Sequence, residues 1–269
     1  MNSNDREKPE FIDGPPGRVK ERIAYRSLST RSEGQGADQA LPGLIWLGGF
    51  RSDMMGSKAS MVAGYAERFG QDYLRFDYSG HGESGGKFRD GTISSWTEDA
   101  SLVLEQLTSG PQILIGSSMG GWISMLLALK HPGRIAGMVL IAPAPDFTED
   151  LMWAGMDQAA RKEIITKGFA ETPSDYSDEP DIITHALIED GRKNLVLDKK
   201  ITFNGPVRIL QGMKDQDVPW QHAIKAVDCF ESSDVVVSLI KSGDHRLSTV
   251  EDLKRLTDTI EEVSKRAVS

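Results

Sequence analysis

Gly116-Ser117-Ser118-Met119-Gly120 spells G-x-S-x-G between an apolar run, Ile113-Leu114-Ile115, and the helix-like stretch that opens at Gly121-Trp122-Ile123. A strand that passes through so few residues into a helix must turn sharply. Glycines on either side of the turn remove the Cβ atoms that would clash there. Ser118 is then held at the tip of the turn, beyond the end of its strand and reachable from solvent. Three fixed positions form a loose pattern, so its meaning depends on what the rest of the chain supplies.

The rest of the chain repeats the strand–helix rhythm. Short apolar runs at residues 44–47, 73–76, 137–142, 205–210 and 235–240 read as buried strands, with an edge-type strand at 19–29. Helical patterns follow at 57–69, 95–107, 220–230 and 249–265, and Ser95-Trp96-Thr97-Glu98 fits a capping box. Short apolar strands alternating with helices predict an α/β architecture with a doubly wound, mostly parallel sheet covered on both faces. Residues 144–204 break the rhythm. They have helical character without a clear strand and are too long for a plain crossover, which predicts an inserted cap. Residues 1–17 are polar and Pro/Gly-rich and read as a flexible tail, leaving 18–143 and 205–269 as the core.

Composition narrows the function classes. The net charge is −9 and no basic stripe occurs, which argues against nucleic acid as a partner. No apolar run reaches the length of a membrane span, and the N-terminal residues lack a signal-peptide core. Asp5, Glu7 and Glu10 argue against a transit peptide, so a cytoplasmic protein is expected. The single cysteine, Cys229, leaves no intramolecular disulfide and reads as a helical core residue. No HExxH or CxxC spacing suggests a metal site, and no cofactor is implied.

A serine hydroxyl is a weak nucleophile until a neighbouring base takes its proton, and histidine suits that task near neutral pH. Of the five histidines, His81 lies in a glycine-rich turn, His131 ends a helix, His185 is inside the insertion and His222 opens a helix. His245 sits in Ser242-Gly243-Asp244-His245-Arg246, between the last strand and the last helix, and is the candidate base. The acid that orients it is sought after the strand at 205–210, where Asp215 and Asp217 are both candidates and Asp146 is an outside alternative. The developing oxyanion needs preorganised donors. The Met119 N–H, next to Ser118, and the Phe50 N–H, in Gly48-Gly49-Phe50 after an early strand, are the candidates.

Taken together, Gly48-Gly49-Phe50, Phe76-Asp77-Tyr78-Ser79-Gly80-His81-Gly82-Glu83-Ser84, the Ser118 turn, Gly212-Met213-Lys214-Asp215 with Val218-Pro219, and Gly243-Asp244-His245-Arg246 resemble the α/β-hydrolase superfamily. They are most similar to the branch of mitochondrial acyl-protein thioesterases and their bacterial relatives. The resemblance runs from about Ala24 to the C-terminus. It implies Ser118 as nucleophile, Asp215 as acid and His245 as base, with the cap after the sixth strand of the fold. It also implies a serine hydrolase acting on esters or thioesters of a small molecule or an acylated protein. One departure is that many relatives carry His-Gly before the oxyanion residue, whereas this chain has Gly48-Gly49.

Rival readings remain. Gly80-His81-Gly82-Glu83-Ser84-Gly85 matches G-x-G-x-x-G, but no helical pattern opens at its third glycine, so a sharp turn carrying Asp77 is the expected use. A binding or scaffold protein without turnover is the alternative to an enzyme. Among enzymes, a peptidase or a C–C bond hydrolase competes with an esterase, and a haloalkane dehalogenase would need a carboxylate at position 118. Within the insertion, Phe147, Leu151, Met152, Trp153 and Met156 fall at spacings that put several of them on one helical face. Met152, Trp153 and Met156 are candidate pocket residues, the alternative being packing of the cap. Arg51 reads as a solvated arginine, the alternative being contact with a substrate carboxylate.

Overall fold

The computed structural model describes residues 8–30, 41–172 and 180–268. Its strands in chain order are β1 (Glu10–Ile12), β2 (Ile23–Leu28), β3 (Gly43–Leu47), β4 (Tyr73–Phe76), β5 (Gln112–Ser117), β6 (Ile135–Ile141), β7 (Phe169–Thr172), β8 (Asp181–Thr184), β9 (Val207–Gly212) and β10 (Val235–Ile240). Eight of these form one sheet in the order β1-β2-β4-β3-β5-β6-β9-β10, and β7 and β8 form a separate pair. Strands from β4 across to β10 are parallel, while β1 and β2 run antiparallel at one edge. The helices are α1 (Ser57–Phe69), α2 (Ile93–Leu107), α3 (Met119–Lys130), α4 (Gln158–Lys167), α5 (His185–Lys193), α6 (Trp220–Cys229) and α7 (Val250–Arg266).

Pleating divides each strand between two cores. Leu44 and Trp46 of β3 face a cluster with Ala59, Val62 and Ala66 of α1 and Leu256, Ile260 and Val263 of α7. Ile45 and Leu47 point the other way, into a larger cluster with Trp96 of α2, Trp122 of α3 and Ala223 and Ala226 of α6. Both faces are covered, so the strands carry continuous apolar runs instead of alternating ones. Each buried Leu or Ile side chain contributes on the order of 1.5–3 kcal/mol by leaving water.

Strand order places the chemistry. β3 lies between β4 and β5, so the chain leaves β3 to one side and later returns to the other. Loops beyond the carboxyl ends of β3 and β5 therefore open away from each other and leave a crevice, the usual binding place in such sheets. The residues after β3 include Gly48-Gly49-Phe50, and the residue after β5 is Ser118.

Three sequence expectations change. Residues 10–12, inside the segment read as a tail, form β1 and pair with Ile23, Ala24 and Tyr25; residues 1–7 lie outside the described residues. The open backbone edge of β2 supplies the partner. The capping box of α2 starts at Thr92, not Ser95: the Thr92 hydroxyl accepts from the Ser95 N–H (3.2 Å) and the Ser95 hydroxyl accepts from the Thr92 N–H (2.8 Å). Serine at the third position thus does the work expected of Glu98. The insertion is not purely helical. It holds a π-helical turn at Thr148–Trp153, then α4, the β7–β8 hairpin and α5. Ala170 and Ile183 of the hairpin are buried with Ile164 and Ile188 of the flanking helices, a tertiary packing that four-residue strands cannot announce by periodicity.

Candidate active site

The turn after β5 is strained and tightly held. Ser118 has φ 53° and ψ −117°, a conformation that non-glycine residues keep only when the surroundings impose it. Its N–H donates to the Ile141 carbonyl (2.9 Å), and its carbonyl accepts from the Gly121 N–H (2.9 Å) and the Ala144 N–H (3.1 Å). The glycines serve close approach, not positive φ. A Cβ on Gly120 would meet the Leu47 carbonyl oxygen at 2.0 Å, and one on Gly116 would meet the Gly120 carbonyl oxygen at 2.4 Å. The G-x-S-x-G spacing is therefore what lets α3 start directly against the end of β3.

His245 and Asp215 converge on Ser118 from β10 and β9. His245 Nε2 lies 3.2 Å from Ser118 Oγ, and His245 Nδ1 lies 2.8 Å from Asp215 Oδ2. The Asp215 side chain is fully buried and the His245 side chain is 19 % exposed, so the imidazole sits between interior and solvent. Asp215 is surrounded by donors: Gln211 Nε2 (3.0 Å) on Oδ2, and the Asp217 (3.0 Å) and Val218 (2.8 Å) N–H groups on Oδ1. Such a shell of donors fixes the carboxylate as an acceptor, so that Nδ1 of His245 carries the hydrogen of their bond. Nε2 is then free to face the serine hydroxyl as an acceptor.

Asp217 is exposed, and its backbone N–H braces Asp215. Asp215, Asp217 and His245 each bring one ligand-type atom within 4.8 Å of the others, a spacing that a cation could use. The direct hydrogen bond between His245 Nδ1 and Asp215 Oδ2 and the ring of N–H donors fit a shared proton better. Asp146, the outside alternative, is committed elsewhere: its carboxylate accepts from the Val196 (2.9 Å) and Leu197 (2.9 Å) N–H groups, tying the later part of the insertion to its beginning.

The two candidate oxyanion donors come from the two segments that meet at Ser118, the start of α3 and the loop after β3. Met119 is the first residue of α3, whose N-terminal N–H groups point toward the turn. Neither the Met119 nor the Phe50 N–H has an acceptor among the described residues. The loop after β3 packs directly on the turn, since a Cβ on Gly49 would lie 3.4 Å from Ser118 Cβ. The Phe50 ring is set by edge-on contacts with Phe88 (4.8 Å), Phe147 (5.7 Å) and Trp96 (5.9 Å).

The remaining candidates have other places. His222 donates from Nε2 to the Pro145 carbonyl (2.6 Å), His131 contacts Ser101 Oγ (3.1 Å), and His185 stands exposed beside Glu189. Cys229 is buried at the end of α6, and burial pushes its thiol up to about 11. Met152, Trp153 and Met156 pack with Phe50 on the apolar cluster of the insertion. The Trp153 ring is flanked by the guanidinium groups of Arg161 (5.3 Å) and Arg192 (4.8 Å). Arg51 is not a free surface arginine: it pairs with Asp181 and donates to the Pro180 carbonyl (3.1 Å), both at the start of β8. Sequence reading also passed over Lys58 of α1, which donates to the Arg246 carbonyl next to His245. Burial pushes its ammonium down to about 8 against the pull of Asp244.

The family model described as serine aminopeptidase, S33, matches residues 55–186, a span that includes Ser118 and ends before Asp215 and His245. The mitochondrial palmitoyl-protein thioesterase ABHD10 of Bos taurus is 35% identical over 90% of this chain and 76% of its own length. Among solved structures, a putative hydrolase from Agrobacterium vitis S4 matches with TM-score 0.86 and 46% identity, covering 95% of this chain and 97% of that one. Alpha/beta hydrolase domain-containing protein 10 from mouse matches with TM-score 0.84 and 33% identity, covering 96% of this chain and 98% of that one.

Proposed function

Because this chain belongs to the α/β-hydrolase family of the palmitoyl-protein thioesterase ABHD10, we propose that it is a serine hydrolase that cleaves acyl thioesters, and related esters, through an acyl-enzyme. The observation that carries the reading is the line of hydrogen bonds from Ser118 Oγ to His245 Nε2 (3.2 Å) and from His245 Nδ1 to Asp215 Oδ2 (2.8 Å).

In the proposed cycle His245 Nε2 takes the Ser118 proton as Oγ bonds to the acyl carbon. The carbonyl oxygen becomes an oxyanion held by the Phe50 and Met119 N–H groups. The bond to the thiol or alcohol breaks, and the leaving group takes its proton from His245. Water then attacks the acyl-serine, giving its proton to the same nitrogen, and the acid departs as Ser118 recovers its hydrogen. Asp215 stays ionised throughout and stabilises the imidazolium.

The insertion, residues 144–204, serves in this reading as the cap. Met152, Trp153 and Met156 form the wall along which the acyl chain runs. Support comes from their sharing an apolar cluster with Phe50, whose backbone is assigned to the oxyanion. Trp153, braced by two guanidinium groups, makes the outer part of that wall. We retain a cytoplasmic site of action as part of the proposal, while the bovine relative is by name a mitochondrial protein. No described helix is long and apolar enough to cross a membrane.

A matched series of acyl thioesters and oxygen esters of increasing chain length tests the substrate class. Each methylene buried along the cap contributes about 0.8 kcal/mol, close to fourfold in kcat/KM, so a few methylenes should separate long from short chains by more than tenfold. Long-chain thioesters are expected to be the best substrates. A preference for short oxygen esters would overturn the acyl-protein reading. Faster turnover of aminoacyl anilides would replace it with the peptidase activity that the matched family's description carries.

A further inference from the structure

Next to the Ser118 site lies a buried network that the proposed cycle does not use, beneath the turn that joins β4 to α2. We propose that His81 is a positioning residue for the oxyanion loop, its imidazole holding the Arg51 N–H and thereby fixing the neighbouring Phe50 N–H against Ser118. The inference rests on the oxyanion role assigned above to Phe50.

The contacts determine the tautomer. His81 Nδ1 faces the Ser79 carbonyl at 3.3 Å, and a carbonyl only accepts, so Nδ1 carries the hydrogen. Nε2 then offers a lone pair, and the Arg51 N–H donates to it at 3.3 Å. A proton on Nε2 would set donor against donor. The ring is 3 % exposed, and its burial pushes the imidazole down to about 4, so it stays neutral under ordinary conditions. Edge-on contacts with Phe88 (5.0 Å), Trp96 (5.2 Å) and Tyr78 (5.6 Å) fix its plane.

The loop needs such a hold. Arg51 has φ 56°, in the left-handed region that a non-glycine residue occupies only when its surroundings impose it. Its backbone is tied to His81, and its side chain to Asp181 and the Pro180 carbonyl at the start of β8. The far end of the loop is tied to the same turn by Asp77. One carboxylate oxygen accepts from the Met54 N–H (2.7 Å) and the other from the Glu83 N–H (2.9 Å). Gly82 makes room for this, since a Cβ there would fall 2.1 Å from Asp77 Oδ2. The turn is anchored in its own right: buried Asp99 accepts from the Ser79 N–H (2.8 Å) and hydroxyl (2.7 Å), and Arg18 pairs with Asp99 at 3.0 Å. Asp77 and His81 are thus the two grips of one scaffold on the residues that follow β3.

The test compares the full-length wild type with His81→Phe, which keeps the stacked ring but removes the acceptor, and His81→Gln, whose amide oxygen can still accept. His81→Phe should lower kcat about 100-fold on an acyl thioester with KM within about twofold, because a slightly misplaced donor is felt in the transition state. Its affinity for an alkyl boronic acid, which mimics the tetrahedral intermediate, should fall by a similar factor. His81→Gln should stay within about tenfold of the wild type. A His81→Phe kcat within about threefold of the wild type, or equal losses in the two variants, would overturn the proposal and leave His81 a packing residue. Imidazole 15N shifts of the wild type give a test free of folding effects. They should show the Nδ1–H tautomer between about pH 5 and 9, and an Nε2–H tautomer or a titration in that range would overturn it. If Ser118 is not the nucleophile, Ser118→Ala will keep the wild-type turnover, while the 15N result remains readable on its own terms.

Discussion

Ser118→Ala is expected to lower kcat by about 10⁶-fold while leaving the fold intact, the loss seen when the nucleophile of a serine triad is removed alone. The hydroxyl is the only group of Ser118 in the proposed cycle, and its backbone makes the contacts that hold the turn. Its N–H to Ile141 and its carbonyl to Gly121 and Ala144 all survive in alanine. Alanine carries the same strained φ of 53°, since its Cβ stands where that of serine does and serine makes no capping bond to the helix. The thermal midpoint should therefore stay within a few degrees of the wild type, about the shift that 1 kcal/mol produces in a chain of this size. A variant that keeps more than about a hundredth of the activity would remove Ser118 from the mechanism.

The second large effect separates the two neighbouring aspartates. Asp215→Asn should lower kcat by about 10⁴-fold, whereas Asp217→Asn should cost less than about tenfold. Every partner of the Asp215 carboxylate is a donor: Gln211 Nε2, the Asp217 and Val218 N–H groups, and His245 Nδ1. An amide NH2 placed there opposes one of them whichever way it turns. Facing Nδ1, it drives His245 into the tautomer whose Nε2 carries the hydrogen, and the base is lost. Asp217 contributes to the triad its backbone N–H, which asparagine keeps, and interactions of an exposed carboxylate are weak. Steady-state kcat on one thioester, with circular dichroism to confirm folding, checks both variants. The reverse ranking would exchange the two residues.

The parts of this molecule that could be read from the sequence are those set by a few adjacent residues. The turn at Ser118 announces itself because a strand, two glycines and a helix are contiguous, and the strand ends that carry Asp215 and His245 follow from apolar runs bounded by turn residues. What stayed hidden depends on contacts between distant segments. Arg51 pairs with Asp181, and no local pattern in either segment suggests that the loop after β3 is tied to the insertion. His81 lay in a turn recognised only as sharp, while its acceptor role depends on the path of the backbone at Arg51. The β7–β8 hairpin is hidden within a helical pattern because Asp181-Ile182-Ile183-Thr184 is too short to show a period, and its burial comes from α4 and α5. β1 is hidden because Glu10-Phe11-Ile12 sits among prolines and becomes a strand only beside β2. Asp146 has the position of a spare acid in the sequence, and only the fold brings the Val196 and Leu197 N–H groups to its carboxylate.

The central claim, that Ser118 is acylated during turnover, is tested most directly by mapping a fluorophosphonate adduct by peptide mass spectrometry on the wild type and on Ser118→Ala. A single adduct on the peptide that contains Ser118, absent from the alanine variant, is the predicted result. An adduct on any other residue, or equal labelling of the two proteins, would contradict it.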